Sequence, residues 1–117
     1  MHHRKKHFLQ ILEIEFEDLQ EDIDLLIEQC QKQQQEGRMT EHVFFENIAI
    51  FRNEERGLEQ FKRIVHELNS DDYADLDALI AECKTRFLRR IKECGMAPFI
   101  DILVDRKINK VVRYVNQ

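Results

Sequence analysis

The sequence predicts an all-α fold, an antiparallel up-down-up-down four-helix bundle with two long and two shorter helices. Three observations carry this expectation. Leu9, Leu12, Phe16, Leu19, Ile23, Leu26 and Cys30 recur at alternating steps of three and four, the seam of a long amphipathic helix. Further segments downstream keep helical spacing. One proline and three glycines in 117 residues supply too few turn signals for an all-β chain.

The first helix is expected from about residue 5 to about residue 35, ending in the polar tract Gln31–Glu36 and the stop signal Gly37. At 1.5 Å per residue it spans roughly 45 Å and needs partners of similar length. Thr40 reads as the N-cap of the second helix, which runs to about Leu68 on the stripe Val43, Ile50, Phe51, Leu58, Phe61, Val65 and Leu68. Its weak point is Asn53–Gly57, because a glycine inside a helix costs about 1 kcal/mol relative to alanine. Ser70 followed by Asp71 and Asp72 reads as the start of the third helix, a capping hydroxyl and then carboxylates at the positive end of the dipole. Its core face is Tyr73, Leu76, Ile80, Cys83, Phe87, Ile91 and Cys94, and Gly95 closes it. Pro98 suits the first turn of a fourth helix carrying Ile100, Leu103, Val104, Ile108, Val111, Val112 and Val115. A β-hairpin turning around Arg106–Asn109 is the alternative, because residues 99–104 and 111–115 are rich in β-branched side chains. The helix is preferred, since that turn lacks the Asn-Gly or Asp-Gly of a tight hairpin.

Connections of a few residues force consecutive helices antiparallel, which sets the first helix beside the fourth. The whole chain, residues 1–117, then forms one domain, with residues 1–6 as a disordered basic N-terminus. Residues 8–83 hold 20 acidic and six basic residues, whereas residues 84–117 hold nine basic and three acidic, within a net charge of −5. The acidic run Glu13–Glu28 therefore faces Arg106, Lys107, Lys110 and Arg113, and the rise per residue sets Glu21, Asp22 and Asp24 level with Lys107 and Lys110. Cys30, Cys83 and Cys94 form an odd set without a C-x-x-C pair, as expected of reduced thiols in a cytoplasmic protein. No stretch approaches the roughly 18 apolar residues of a membrane span, and acidic residues rather than a signal core follow the basic start.

Function is written less plainly than architecture. Ile11 and Ile14 lie off the first seam, and Phe45, Ile48 and Ala49 point away from the centre of the second stripe. Seven of the nine residues in Val43–Phe51 are apolar, and the longer helices leave the far ends of their stripes uncovered. Ile11, Ile14, Phe45 and Ile48 are therefore the expected self-association surface of a homodimer. The plainer alternative is a wide core face with scattered surface apolar residues. Arg86, Arg89, Arg90 and Lys92, with Arg38 expected at the same end, form a candidate surface for an acidic partner. The same group also complements the helix dipole without any partner.

Asn47 and Glu54 fall on the second helix's core face, where an Asn can fix register and a Glu must be paired or protonated. Carboxylate-bridged metal sites in bundles take Glu-x-x-His pairs, which are absent here. His42 with Glu46, or Cys30, Cys94 and His42, are lesser metal candidates. Cys83 has no assured base, His66 beside Glu67 carries no motif, and no Gly-rich phosphate loop occurs. No catalytic, cofactor or metal residue is assigned. The expected function is a non-enzymatic protein–protein interaction module, homodimeric, acting as an adaptor or small regulatory or scaffolding subunit for an unidentified protein partner. The alternatives are a nucleic-acid-associated protein using the arginine group and a metal-binding bundle enzyme.

Overall fold

Each apolar stripe becomes a helix. A computed structural model describes residues 3–95 and 99–117. Within it α1 spans Arg4–Gln35, α2 Glu41–Glu67, α3 Leu76–Cys94 and α4 Phe99–Val115, with no strand among the described residues. The hairpin alternative at the C-terminus is thus excluded. α1 packs on α2 and α4, α2 on α3, and α3 on α4, closing the up-down-up-down ring. Pro98 and the side chain of Ile100, both expected in the fourth helix, lie outside what is described.

Local chemistry sets most of the helix ends. After α1, Gly37 takes φ +76°, and the N–H groups of Gly37 and Arg38 return to the carbonyls of Gln34 and Gln33 at 3.1 and 2.9 Å, a Schellman closure. Thr40 Oγ1 accepts the Val43 N–H at 3.3 Å and starts α2. α2 runs unbroken through Gly57, which is the first buried residue along it and is followed by the core residues Leu58 and Phe61. Gly95 ends α3 at φ +63°.

The start of α3 departs from expectation. Ser70–Asp72 is a single 3-10 turn, capped by the Asn69 side chain, which accepts the Asp71 N–H at 3.0 Å. The chain then extends through Tyr73 and restarts as helix where Asp75 accepts the Ala78 N–H at 2.8 Å. Asn69 closes the 3-10 turn, and the cap that starts α3, Asp75, lies five residues after Ser70. A shorter α3 brings α4 back toward the start of α1. Lys107 and Lys110 consequently meet Glu15, at 3.0 and 2.9 Å, and not Glu21, Asp22 or Asp24. Residues 4–6, expected to be disordered, form the first turn of α1. Lys5 donates to the Tyr73 carbonyl, His7 stacks edgewise on Tyr114 at 6.0 Å, and Phe8 is fully buried.

The core sits where all four helices overlap. Phe16, Phe61 and Phe87 meet at its centre, with ring centroids 4.8–6.2 Å apart. Leu12, Ile23, Leu79, Cys83, Ile108 and Val111 close around them. Phe8, Ile27, Ile64 and Leu79 join the core although the stripes read from sequence omit them, and Leu26 and Cys94, which those stripes include, are exposed. The extents, 55 × 29 × 19 Å, are those of a rod and reflect the unequal helix lengths.

Candidate interaction surface

α1 and α2 have 32 and 27 residues, against 19 and 17 for α3 and α4. At the end where the N-terminus of α1 lies, all four helices begin or finish together. At the other end the short pair stops early: Cys94 and Gly95 share a groove with Asn53 and Arg56 of α2. Leu103 and Val104 of α4 share a notch with Leu19, Ile23 and Glu54. Beyond that level α1 and α2 continue as a two-helix arm roughly 20 Å long. Among the described residues of α2, none ahead of Gly57 is buried.

The arm carries the core stripe onward without a cover. Leu68, Phe61, Glu54, Ile50 and Val43 follow one another at steps of seven and four, so they share one face of α2. Phe61 and Leu68 are buried, while Ile50 is 49% and Val43 42% exposed. On α1, Leu26 continues the line of Leu19 and is 42% exposed. These residues are apolar because their stripe is a core stripe, and they are bare because α3 and α4 end. At the tip, Cys30 is buried with its sulfur 3.6 Å from that of Met39, and the half-buried Asn47 amide lies 3.9 Å from the same Met39 sulfur. Burial at the base of the arm raises the Glu54 carboxyl above its ordinary value, and no ion pair reaches it among the described residues.

The four residues expected at the self-association surface do not form one patch. Ile11 and Ile48 are half-buried and pack against the core. Ile14 and Phe45 are 51% and 58% exposed, yet lie on opposite ends of the hairpin, roughly 25 Å apart along its axis. Phe45 points off the outer side of the arm beside Phe44, and Ala49 is also exposed. The residues that do form a continuous open face, Leu26, Val43 and Ile50, belong by their spacing to the core stripes. The mismatch in helix length is the signal that exposes them.

The basic group is also divided. Arg86 donates to Glu82 at 2.8 Å, and the shallow cleft holding Arg86, Arg89 and Arg90 also contains Glu67 and Glu93. Lys92 is exposed in the last turn of α3. Arg38 stands at the arm tip, 3.5 Å from Glu36 and roughly 20 Å beyond the end of α3, so it does not join the others.

The remaining candidates sit apart from one another. His42 pairs with Glu46 at 3.0 Å on an exposed turn, His66 pairs with Glu13 at 2.9 Å, and Cys94 is exposed at the base of the arm while Cys30 lies near its tip. Among the described residues no three His, Cys, Asp or Glu side chains gather as a metal site. Cys83 is buried, which pushes its thiol up to about 12 and keeps it protonated at neutral pH. Among the described residues no helix is long and apolar enough to cross a membrane. In comparisons with known proteins no family model, no curated protein and no solved structure matches the chain.

Proposed function

We propose that this chain is a non-enzymatic interaction module, an adaptor or small scaffolding subunit whose working surface is the open face of the α1–α2 arm. The observation that supports this reading is the uncovered continuation of the core stripe in Leu26, Val43 and Ile50. A core-type stripe left bare is a standing hydrophobic driving force for association, worth roughly 25 cal/mol for each Å² removed from water. The arm is held in place by the Schellman closure, the Thr40 cap and the buried Cys30, so its face is presented ready-made. Unbridged Cys30, Cys83 and Cys94 support a reducing, cytoplasmic setting. The arginine group gives less support to a nucleic-acid role, because Glu67, Glu82 and Glu93 are interleaved with it.

The test compares wild type with Ile50→Glu, a substitution at a site already exposed in the folded chain. Solution mass and the set of proteins co-purifying from the native host are measured for both. The reading expects Ile50→Glu to lose an association that wild type makes, while circular dichroism stays unchanged. Identical mass and identical co-purifying proteins for the two would overturn it.

A further inference from the structure

Resting on the reading of the arm as a binding surface, we infer that its occupant is the arm of a second copy of this chain. The two arms lie antiparallel, so that two helix pairs close into one intermolecular four-helix bundle. The open face carries exposed apolar residues toward both ends of its α2 edge. On α2 the exposed Val43 and Ile50 stand seven residues apart with the half-buried Asn47 between them. On α1 Leu26 stands between Ile23 and Cys30. Gln20 of α1 donates to Glu55 of α2 at 2.9 Å, and Leu26, roughly 9 Å further along, comes level with Ile48 and Ala49, within a turn of Asn47. A two-fold axis passing near Leu26 and Asn47 then sets Val43 of each copy against Ile50 of the other. The amide falls at the centre, where a single Asn in a helical interface fixes register.

The same register matches charge. It lays the tip, residues 36–41, over the base of the other copy's arm. Glu54 has no ion partner among the described residues of its own chain, and Arg38 is an exposed tip cation held by Glu36 at 3.5 Å. Antiparallel overlap brings Arg38 of one copy toward Glu54 of the other. It also brings Glu36 and Glu41 toward Arg56 and Lys92, which are exposed at the base. Parallel overlap would instead set Glu54 on Glu54 and acidic tip on acidic tip, a repulsive arrangement. A face two helices wide and about 20 Å long closes on the order of 1,000 Å² over both copies, the lower bound for a specific interface, so the dimer is reversible.

Sedimentation velocity on the full chain, from low micromolar to near-millimolar concentration, is expected to show the mass moving from 14.2 kDa to twice that value. Val43→Glu and Ile50→Glu are expected to raise the dissociation constant by about ten-fold or more. Leu88→Glu, at a comparably exposed site on α3, is expected to leave it unchanged. Arg38→Glu weakens the dimer, and adding Glu54→Lys restores it. Register is read by mixing Val43→Cys and Ile50→Cys chains, each also carrying Cys94→Ser, under mild oxidation. The mixed disulfide is expected to exceed both like-with-like products, and a majority of like-with-like products overturns the antiparallel arrangement. A chain that stays at monomer mass throughout overturns the second-copy assignment. If that monomer still captures a host protein that Ile50→Glu cannot, the binding-surface reading stands alone. If wild type and Ile50→Glu agree in mass and in co-purifying proteins, both fall.

Discussion

Phe16, Phe61 and Phe87 come from three different helices and share one centre, so each ring closes contacts that no neighbour can replace. Phe87→Ala is expected to cost about 3–5 kcal/mol, combining lost transfer energy with an unfilled cavity, and to lower the urea midpoint accordingly. Glu15 is a second focal residue. Hydrogen bonds from Lys110 and Lys107 hold its carboxyl below the ordinary value of 4.5, against a smaller opposing effect of burial. A carboxyl depressed in the folded state adds stability above the unfolded-state value, and that stability is lost as pH falls through the folded one. Glu15→Gln should therefore lower stability by about 1 kcal/mol at pH 7. The difference from wild type should vanish in urea melts well below the carboxylate range. Among the thiols, exposure and protonation set reactivity. In the folded chain an alkylating reagent should reach exposed Cys94 first, and should label buried Cys83, with its thiol raised to about 12, only on unfolding. Peptide mapping of the labelled protein reads that order.

At the level of elements, a helix end is legible in sequence when one capping group acts alone. Gly37, Thr40 and Gly95 act where their spacing implies, and the four stripes give four helices. Between residues 69 and 75 three groups compete, Asn69, Ser70 and Asp75. The outcome depends on where Tyr73 and Leu76 must sit against the bundle, which local chemistry does not encode. That single shift of about one and a half turns also displaced the ion-pair register along α4, because every later position inherits it. The cap can be tested directly. Asp75→Ala removes the acceptor of the Ala78 N–H and should cost about 1 kcal/mol, a few degrees in melting temperature, while Ser70→Ala should change it by less than half as much. The equal-and-opposite result would return the start of α3 to Ser70. The open face was legible in part. Unequal helix lengths announced uncovered stripe ends, but Leu26, Val43 and Ile50 read as core residues, because exposure belongs to the neighbouring helix's length and not to their own spacing.

For the molecule as a whole, shape carries the functional argument. The Cα radius of gyration is 16.6 Å, where a compact chain of this length would have about 13 Å. The excess is the arm, since the aromatic centre and the inter-helix bonds Glu15–Lys107, Glu15–Lys110 and Lys84–Asp105 all lie in the four-helix body. Body and arm can be separated by a phase-preserving deletion. Removing residues 24–30 and 44–50 takes seven residues from each long helix, close to two turns, so the stripes below keep their facing. The shortened chain should remain helical and unfold cooperatively, because Phe16, Phe61 and Phe87 and the residues closing around them, Leu12, Ile23, Leu79, Cys83, Ile108 and Val111, are kept, and of the core cluster only Ile27 and the flanking Ile48 are lost. Small-angle scattering should show the 55 Å axis shorter by roughly 10 Å, and the chain should stay at monomer mass at concentrations where the full chain associates. Loss of cooperative unfolding would mean that the arm is part of the core's stability. Retained association would place the contact on the body, on faces such as Ile14 or Leu88. A folded, monomeric product would show that the length by which α1 and α2 outrun α3 and α4 serves association and is not needed for folding.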